Sequence, residues 1–360
     1  MGFFTRGEDE DPDRAESRKW IEDGGIPAGA AERLKVLGTE GSLFTSGLSV
    51  NEFALLGRLG PEPLAQVMGA SVVRAGWQYL PALDPGIIVT GGWYGQGPSV
   101  TGSALQNRFT DASPAQVRSY RWRAEVVCAL DVLTDAWNMA RRRALDRLRE
   151  EALQVGADAV VGVRLHRSDH DFGKSTIEYV VTGTAIRLPD SAGTASPVLS
   201  DVSVQDYWRL HSAGHDPAGL VATTAVVFAS PPRATRVRRA RTKRQNQELG
   251  ELSRGFHAAR ETVRAKLLGQ LSDVNGIGVV GVDFAHAVQR QKFALASALS
   301  STSQRGWHVG RFGLPYRVSG RGEAERRGWV ITMHAAGTAI GSRRGPAGSP
   351  VRTSIRLGAR

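Results

Sequence analysis

Cysteine is almost absent from this 360-residue sequence. The single cysteine, Cys128, cannot form a disulfide within the chain, and a zinc site built from several thiolates is excluded for the same reason. Soft heavy metals also prefer several thiolate ligands, which this chain lacks. A reduced, cytoplasmic setting is therefore the expectation. We expect Cys128 to lie in a long helix as a small buried side chain.

Long apolar runs are missing as well. No stretch approaches the roughly 18 consecutive apolar residues that a membrane-spanning helix requires, so we predict no transmembrane segment. Acidic residues are fewer than basic ones, 35 against 46, which gives a formal net charge of +11. This excess predicts an anionic partner such as nucleic acid or a lipid surface. The alternative is an arginine-rich coding bias that spreads charge over solvated faces, and the lack of an aromatic-interleaved basic motif of a known nucleic-acid module favours it.

The basic residues concentrate in one run, from Arg233 to Arg244. Its candidate contacts with an anion or nucleic acid are Arg236, Arg238, Arg239, Arg241 and Arg244. We expect this run to open a long helix, where cations oppose the positive end of the helix dipole. Such a site favours a compensating phosphate or acidic group. A solvated, frayed segment is the alternative.

An internal repeat is what the sequence does contain. The segment from Leu48 matches the segment from Val202 without a gap, at an offset of 202 − 48 = 154 residues. The apolar stripe of a long helix and the VVGV strand after it match at an offset of 279 − 160 = 119 residues. The motif GTAI then returns to the offset of 154 residues, from Gly183 to Gly337. A shared register across helix and strand indicates one structural unit used twice.

Each copy predicts a short helix, a strand, a long helix and two further strands. We therefore predict an α+β fold of two tandem β-α-β-β units, each a small antiparallel sheet packed on one long helix. The units cover residues 40–190 and 198–342. Residues 1–39 are expected to be disordered or weakly ordered, and 343–360 to be a disordered basic tail. One helix covers only one face of a sheet, so we expect self-association into a closed oligomer.

The segment RRRALDRLREEALQVGADAVVGVRLH, followed by GTAIR, resembles the YbjQ family of small bacterial proteins, which is described as heavy-metal-binding. The resemblance is close from Ala140 to Arg187 and looser over the flanking elements of the first copy. It implies a dodecin-like β-α-β-β subunit that assembles into a closed ring, commonly a pentamer. The activity it implies is essentially unknown. Family members are single units, so two units in one chain would alter the ring stoichiometry.

One cluster has the residue types of a metal site. In HRSDHDFG, the residues His166, Asp169 and His170 offer two imidazoles and a carboxylate, which are ligands for zinc, nickel or copper. We expect them near the tip of a hairpin, and the alternative is a tip that is simply polar. A divalent metal is the only cofactor that these residues suggest. The second copy has Ala285 where the first has His166.

No catalytic constellation is recognisable, so no catalytic residues are assigned. The patterns favour a non-enzymatic oligomeric binding or scaffold protein, with heavy-metal binding implied by the family resemblance alone. The alternative is a basic-surface protein that contacts nucleic acid or an anionic membrane through Arg233–Arg244.

Overall fold

Five helices and twelve strands are present in the residues that the computed structural model describes. Those residues are 25–26, 28–37, 45–78, 80, 87–90, 117–120, 126–170, 176–189, 194, 196–232, 235, 246–294, 307–309, 315–317 and 325–342. The helices are α1 (Ala28–Leu37), α2 (Val50–Leu59), α3 (Asp131–Gln154), α4 (Val204–Ser212) and α5 (Gly250–Asp273). The strands are β1 (Glu62–Arg74), β2 (Ile87–Thr90), β3 (Val117–Tyr120), β4 (Val126–Ala129), β5 (Ala159–His170), β6 (Thr176–Arg187), β7 (Val198–Leu199), β8 (His215–Ser230), β9 (Gly278–Ala294), β10 (Trp307–Val309), β11 (Pro315–Arg317) and β12 (Glu325–Ser342).

Two four-stranded sheets dominate the architecture. Their strand orders are β1-β6-β5-β7 and β4-β8-β12-β9. Two smaller pairs, β2 with β3 and β10 with β11, are separate antiparallel ladders. The strands of the large sheets pair antiparallel except β5 and β7, which pair parallel. The predicted mixed α+β class is therefore confirmed.

The two large sheets use their strands in the same order. In each, the strand after the short helix (β1 or β8) pairs with the last strand (β6 or β12), and that strand pairs with the one after the long helix (β5 or β9). The register also corresponds. Gln66 lies opposite Thr184 in the first sheet, and Leu220 lies opposite Thr338 in the second. The differences 220 − 66 and 338 − 184 both equal 154 residues.

The short helices begin and end at residues of the types that favour helix ends. Ser49 caps α2 by accepting a hydrogen bond from the Glu52 N–H, and the Glu52 carboxylate accepts one from the Ser49 N–H. Ser203 caps α4 with its hydroxyl in the same way. Gly60 and Gly214 then adopt positive φ angles of 95° and 82°. Glycine reaches this conformation without steric cost, so the chain can turn directly into β1 or β8.

A β-bulge at Gly162 changes which side chains of β5 face the long helix. Strict alternation would place Val161 and Val163 on one face. The pairing of β5 with β6 instead shifts directly after Val161, and Gly162 has a φ of 60°. As a result Val160 and Val163 pack in the core under α3, whereas Val161 packs beside the short helices. Val161 departs from strict alternation because one extra residue enters the strand.

The main hydrophobic core continues from one sheet to the other. On the first sheet, the stripe of α3 that contains Ala144 and Leu148 is fully buried. Trp137, one to two turns from the start of α3, belongs to the same cluster as Phe228 of the second sheet. A second cluster lies between α5 and the second sheet, around Val263. Since burying one large apolar side chain contributes roughly 1.5–3 kcal/mol, this shared core ties the two sheets together.

Gly69 lets α3 lie close against β1. A Cβ atom at this position would stand 1.9 Å from the carbonyl oxygen of Ala144 and 2.7 Å from the backbone nitrogen of Leu148. No side chain fits into that space unless the helix moves away from the sheet.

Several element boundaries differ from the sequence-based expectation. Cys128 lies in β4 and not in the long helix, because α3 begins only at Asp131. The run Arg233–Arg244 does not open α5, which begins at Gly250. Strand β5 continues to His170, so the residues expected near a hairpin tip lie within the strand.

A helix also lies inside the segment 1–39. This helix, α1, is positioned by an ion pair of 3.2 Å between Arg33 and the buried Glu151 of α3. Among the described residues, no helix is long and apolar enough to cross a membrane.

Candidate functional site

The two large sheets are joined by an exchange of edge elements. Strand β4 directly precedes α3, yet it pairs with β8 of the second sheet, where Cys128 lies opposite Phe228. In the other direction, the segment 198–202 runs along β5 of the first sheet. The Ser200 N–H donates to the Val160 carbonyl at 2.9 Å, and the Val163 N–H donates to the Ser200 carbonyl at 2.9 Å. Each large sheet therefore receives its fourth strand from outside its own half of the chain.

The first half of α3 binds the outer backbone groups of β8. Asn138 accepts a hydrogen bond from the Thr224 N–H at 3.1 Å and donates one to the Thr224 carbonyl at 3.1 Å. The Thr134 hydroxyl accepts from the Val226 N–H at 3.0 Å, and the Leu130 N–H donates to the Val226 carbonyl at 2.8 Å. A buried backbone group without a partner costs about 1–3 kcal/mol, so these bonds allow the edge of β8 to be buried.

Aromatic and basic side chains meet at the centre of this junction. The indole of Trp137 packs edge-to-face on Tyr179, with ring centroids 6.2 Å apart, and on His334, with centroids 4.8 Å apart. Burial lowers the pKa of Arg141 to about 10. Burial, assisted by Arg167 and Arg141, lowers the pKa of His334 to about 3. The His334 imidazole is therefore neutral at neutral pH, as its position between the sheets requires.

The carboxylates of Glu151, which is buried, and of Asp201, which is half-buried, hold elements together near the junction. Glu151 accepts a hydrogen bond from the Met68 N–H at 2.8 Å and pairs with Arg33. Asp201 accepts from the Thr338 hydroxyl, and its own N–H donates to that hydroxyl at 3.0 Å. Burial raises the pKa of both carboxyl groups, and these hydrogen bonds oppose the rise. Both groups thus have structural partners.

The residues of the predicted metal site lie along one strand. His166, Asp169 and His170 are all in β5, opposite Val180, Ile177 and Thr176 of β6. Alternation places His166 and His170 at positions on one face of the strand and Asp169 on the other. At about 3.3 Å per residue, the Cα atoms of His166 and His170 are roughly 13 Å apart. The metal site stays a prediction.

The part of the chain that the structure describes contains no group of three or more His, Cys, Asp or Glu side chains placed to hold one metal ion. Cys128 is half-buried, and burial raises the pKa of its thiol to about 11. The thiol is therefore protonated at neutral pH, whereas a metal ligand must be a thiolate.

The predicted anion contacts lie outside the described residues. This applies to all five arginines of the run: Arg236, Arg238, Arg239, Arg241 and Arg244. Their contact with nucleic acid or another anion stays a prediction.

Sequence reasoning missed the residues of the junction, although one signal for them is present. Thr134, Asn138 and Arg141 follow one another at spacings of four and three residues along α3, and all three are buried. A polar stripe at helical spacing beside an apolar stripe indicates that the helix also faces a polar surface. Here that surface is the edge of β8.

Comparison with known proteins bears on the segment that forms most of the first sheet. The family model YbjQ_1, described as "Putative heavy-metal-binding", matches residues 124–189. This segment is YbjQ-like. The match runs from β4 through α3 and β5 to β6, so the resemblance predicted from the sequence is confirmed there.

Several curated proteins are similar to the chain. An encapsulin nanocompartment protein, Rv1762c, from Mycobacterium tuberculosis is 29% identical over 247 residues, which are 67% of this chain and 78% of that protein. A UPF0145 protein of Methanoregula boonei is 42% identical over 65 residues, and one of Methanocella arvoryzae is 37% identical over 65 residues. Each of these two matches covers 18% of this chain and 52% of the relative. No solved structure matches the chain.

Proposed function

We propose that this protein is a non-enzymatic, self-assembling scaffold built from two homologous YbjQ-like units, residues 40–190 and 198–342. The common strand order and the common register of the two large sheets support a duplication. The matching positive φ angles at Gly162 and Gly281, 60° and 65°, support it further. A bulge of this kind is a specific feature of a strand and not an irregularity. Its recurrence at an offset of 281 − 162 = 119 residues fits the repeat.

The exchange of edge elements at the junction carries the proposal. Neither large sheet has four strands without residues from the other half of the chain. The aromatic cluster around Trp137 is also built from both halves, since Tyr179 and His334 lie in different sheets. A unit that depends on a neighbour for its edge and its core is suited to assembly into larger structures.

The comparisons agree with a structural role. The Mycobacterium tuberculosis relative is named an encapsulin nanocompartment protein, and the names of the relatives specify no reaction. The carboxylates of Glu151 and Asp201 have structural partners, which favours a non-enzymatic protein. A cytoplasmic location belongs to the same proposal. Heavy-metal binding is not part of it, because only the family resemblance implies that activity.

Size-exclusion chromatography with in-line mass measurement tests the proposal. We expect a mass that is a multiple of 38.7 kDa and that does not change between low and high salt, because the junction contacts are mainly apolar and hydrogen-bonded. A monomer at every concentration would contradict it. As a control, the purified protein is treated with nuclease, and the ratio of its ultraviolet absorbances is measured to detect bound nucleic acid. Nucleic acid that co-purifies at low salt and is lost at high salt would favour the alternative through Arg233–Arg244.

A further inference from the structure

We infer that copies of this protein join head to tail by repeating the internal junction, with the first half of α5 of one copy docked on the β1 edge of the next. This inference rests on the proposed two-unit scaffold and names its contact surfaces and its partner, which is a second copy of this chain. The contact between the first half of α3 and the edge of β8 within one chain, here called the internal junction, is the model for the contact between copies. Each of its two surfaces has a counterpart elsewhere in the chain.

The outer edge of β1 is the counterpart of the β8 edge that α3 covers. Every second residue of this strand directs its backbone groups away from β6: the Met68 N–H donates to Glu151, and the Ala70 carbonyl accepts from Arg147. Among the described residues, none accepts from the N–H groups of Ala70 or Val72, the counterparts of groups that α3 binds in β8. Within the part of the chain that the structure describes, this stretch of the first sheet's edge is therefore open.

Side-chain exposure along the two edges shows the same contrast. Val72 is 63% exposed, whereas its counterpart in β8, Val226, is 1% exposed. Met68 is 42% exposed, and its counterpart Ala222 is buried. Trp77, just beyond the end of β1, is 84% exposed. Apolar side chains that stand in a row along an unpaired strand edge indicate an interaction surface.

The first half of α5 is the counterpart of the first half of α3. In α3 the polar residues at the junction, Thr134, Asn138 and Arg141, are buried. Their counterparts in α5 lie 119 residues later and are exposed: Ser253, His257 and Arg260. Trp137 is also buried in α3, whereas its counterpart Phe256 is only half-buried. The helix therefore presents to solvent the face that α3 uses to hold the two sheets together.

The chemistry of the two open surfaces is complementary. The Ser253 hydroxyl can accept from the Val72 N–H, as a threonine hydroxyl does in the internal junction. A ring nitrogen of His257 can accept from the Ala70 N–H, as an asparagine does internally. The Leu249 N–H can donate to the Val72 carbonyl, as the N–H of Leu130 does to Val226.

The segment that precedes each short helix makes a second contact that also has a counterpart in the other half of the chain. In the internal junction the Asp201 N–H donates to the Thr338 hydroxyl at 3.0 Å, and the segment around it runs along β5. At an offset of 154 residues, the Gly47 N–H donates to the Thr184 hydroxyl at 3.2 Å. The segment before α2 is thus held at the corresponding place and can run along β9 of a neighbouring copy, where Gly281 is exposed.

The occupant is a second copy because one chain carries both halves of the contact. Its α5 packs on β8, β12 and β4 and leaves its first half facing outward, while the β1 edge lies on the other sheet. A contact between two different surfaces of identical chains continues from copy to copy, and it closes into a ring when the rotation at each junction allows it.

Two blocking variants and one control test the inference. Val72→Lys adds a charge to the β1 edge, and Ser253→Lys adds one to the α5 face. Both positions are exposed in the single chain, so the fold is expected to survive, which circular dichroism checks. Ala70→Arg is a second β1-edge variant should Val72→Lys not fold. Leu268→Lys is the control, since Leu268 is 53% exposed and its counterpart Arg149 takes no part in the internal junction.

The decisive measurement is the mass of each variant alone and of the two mixed. We expect Val72→Lys and Ser253→Lys each to elute at 38.7 kDa, while Leu268→Lys keeps the mass of the unmodified protein. When the two blocked variants are mixed, one intact α5 face meets one intact β1 edge. We therefore expect a dimer and nothing larger.

The possible failures are distinguishable. If the unmodified protein is a monomer, both the scaffold function and this inference fail. If it is an oligomer whose mass neither blocking variant changes, the scaffold stands and the head-to-tail contact is wrong. If each variant is monomeric but the mixture forms no dimer, the two surfaces are not complementary and the inference is likewise overturned.

Discussion

The pH dependence of unfolding tests how the junction between the sheets is built. His334 is buried against Trp137, and its Nδ1 lies 2.9 Å from the Thr224 hydroxyl. Burial and the neighbouring arginines lower its pKa from 6.5 to about 3. Below a pH of about 6.5 the imidazole of His334 is protonated in the unfolded chain but stays neutral in the folded chain. The free energy of unfolding therefore falls as the pH falls towards 3.

The size of this effect follows from the shift. Each pH unit below the ordinary histidine pKa costs about 1.4 kcal/mol for one such group. At a pH of about 5 the loss is therefore roughly 2 kcal/mol relative to neutral pH. This is a large fraction of the free energy of unfolding of an ordinary domain, which is about 5–15 kcal/mol.

Urea unfolding at several pH values between about 5 and 7 measures the effect. His334→Asn removes the titrating group but retains a polar side chain beside Thr224. We expect its free energy of unfolding to be lower at neutral pH and to change less with pH, by about 1.4 kcal/mol per unit. His286→Asn is the control, because His286 is exposed in β9. If His334→Asn has the same pH slope as the unmodified protein, the account of the buried imidazole is refuted.

Two further predictions concern packing and metal. Gly69→Ala should destabilise the protein by about 3 kcal/mol or more in thermal melts, because the new Cβ meets the backbone of α3. Its control Gly57→Ala, in α2 with no atom within 4 Å of the new Cβ, should stabilise by about 0.5–1 kcal/mol, and equal effects would contradict the packing argument. The double variant His166→Ala with His170→Ala should leave the metal content unchanged by elemental analysis. Stoichiometric zinc or copper lost in that variant would prove this wrong.

The helix ends follow from local signals in the sequence. Ser49 and Ser203 are of a residue type that favours the N-cap, and each caps its helix because the capping groups lie within three residues of each other. Gly156 ends α3 with a φ of 72°, and Asn275 ends α5 with a φ of 52°. Asparagine tolerates the left-handed conformation better than most residues, so two different residues can make the same turn.

The junction was not predicted because its partners are far apart in the sequence. Asn138 binds Thr224 across 86 residues, and Thr134 binds Val226 across 92 residues. Periodicity indicates which face of α3 is apolar but not which strand receives the polar positions beside it. For the same reason the sequence led us to place Cys128 in the helix, although its strand pairs with β8.

The docking of α3 on β8 also has a consequence for synthesis on the ribosome. Chains are made from the N-terminus, and domains commonly fold in that order. Here Trp137 and Asn138 must wait until Thr224 has left the exit tunnel before they find their partners. A nascent chain that ends before β8 displays this helix surface to the surrounding water, so the early part of the molecule matures only after the later part has been translated.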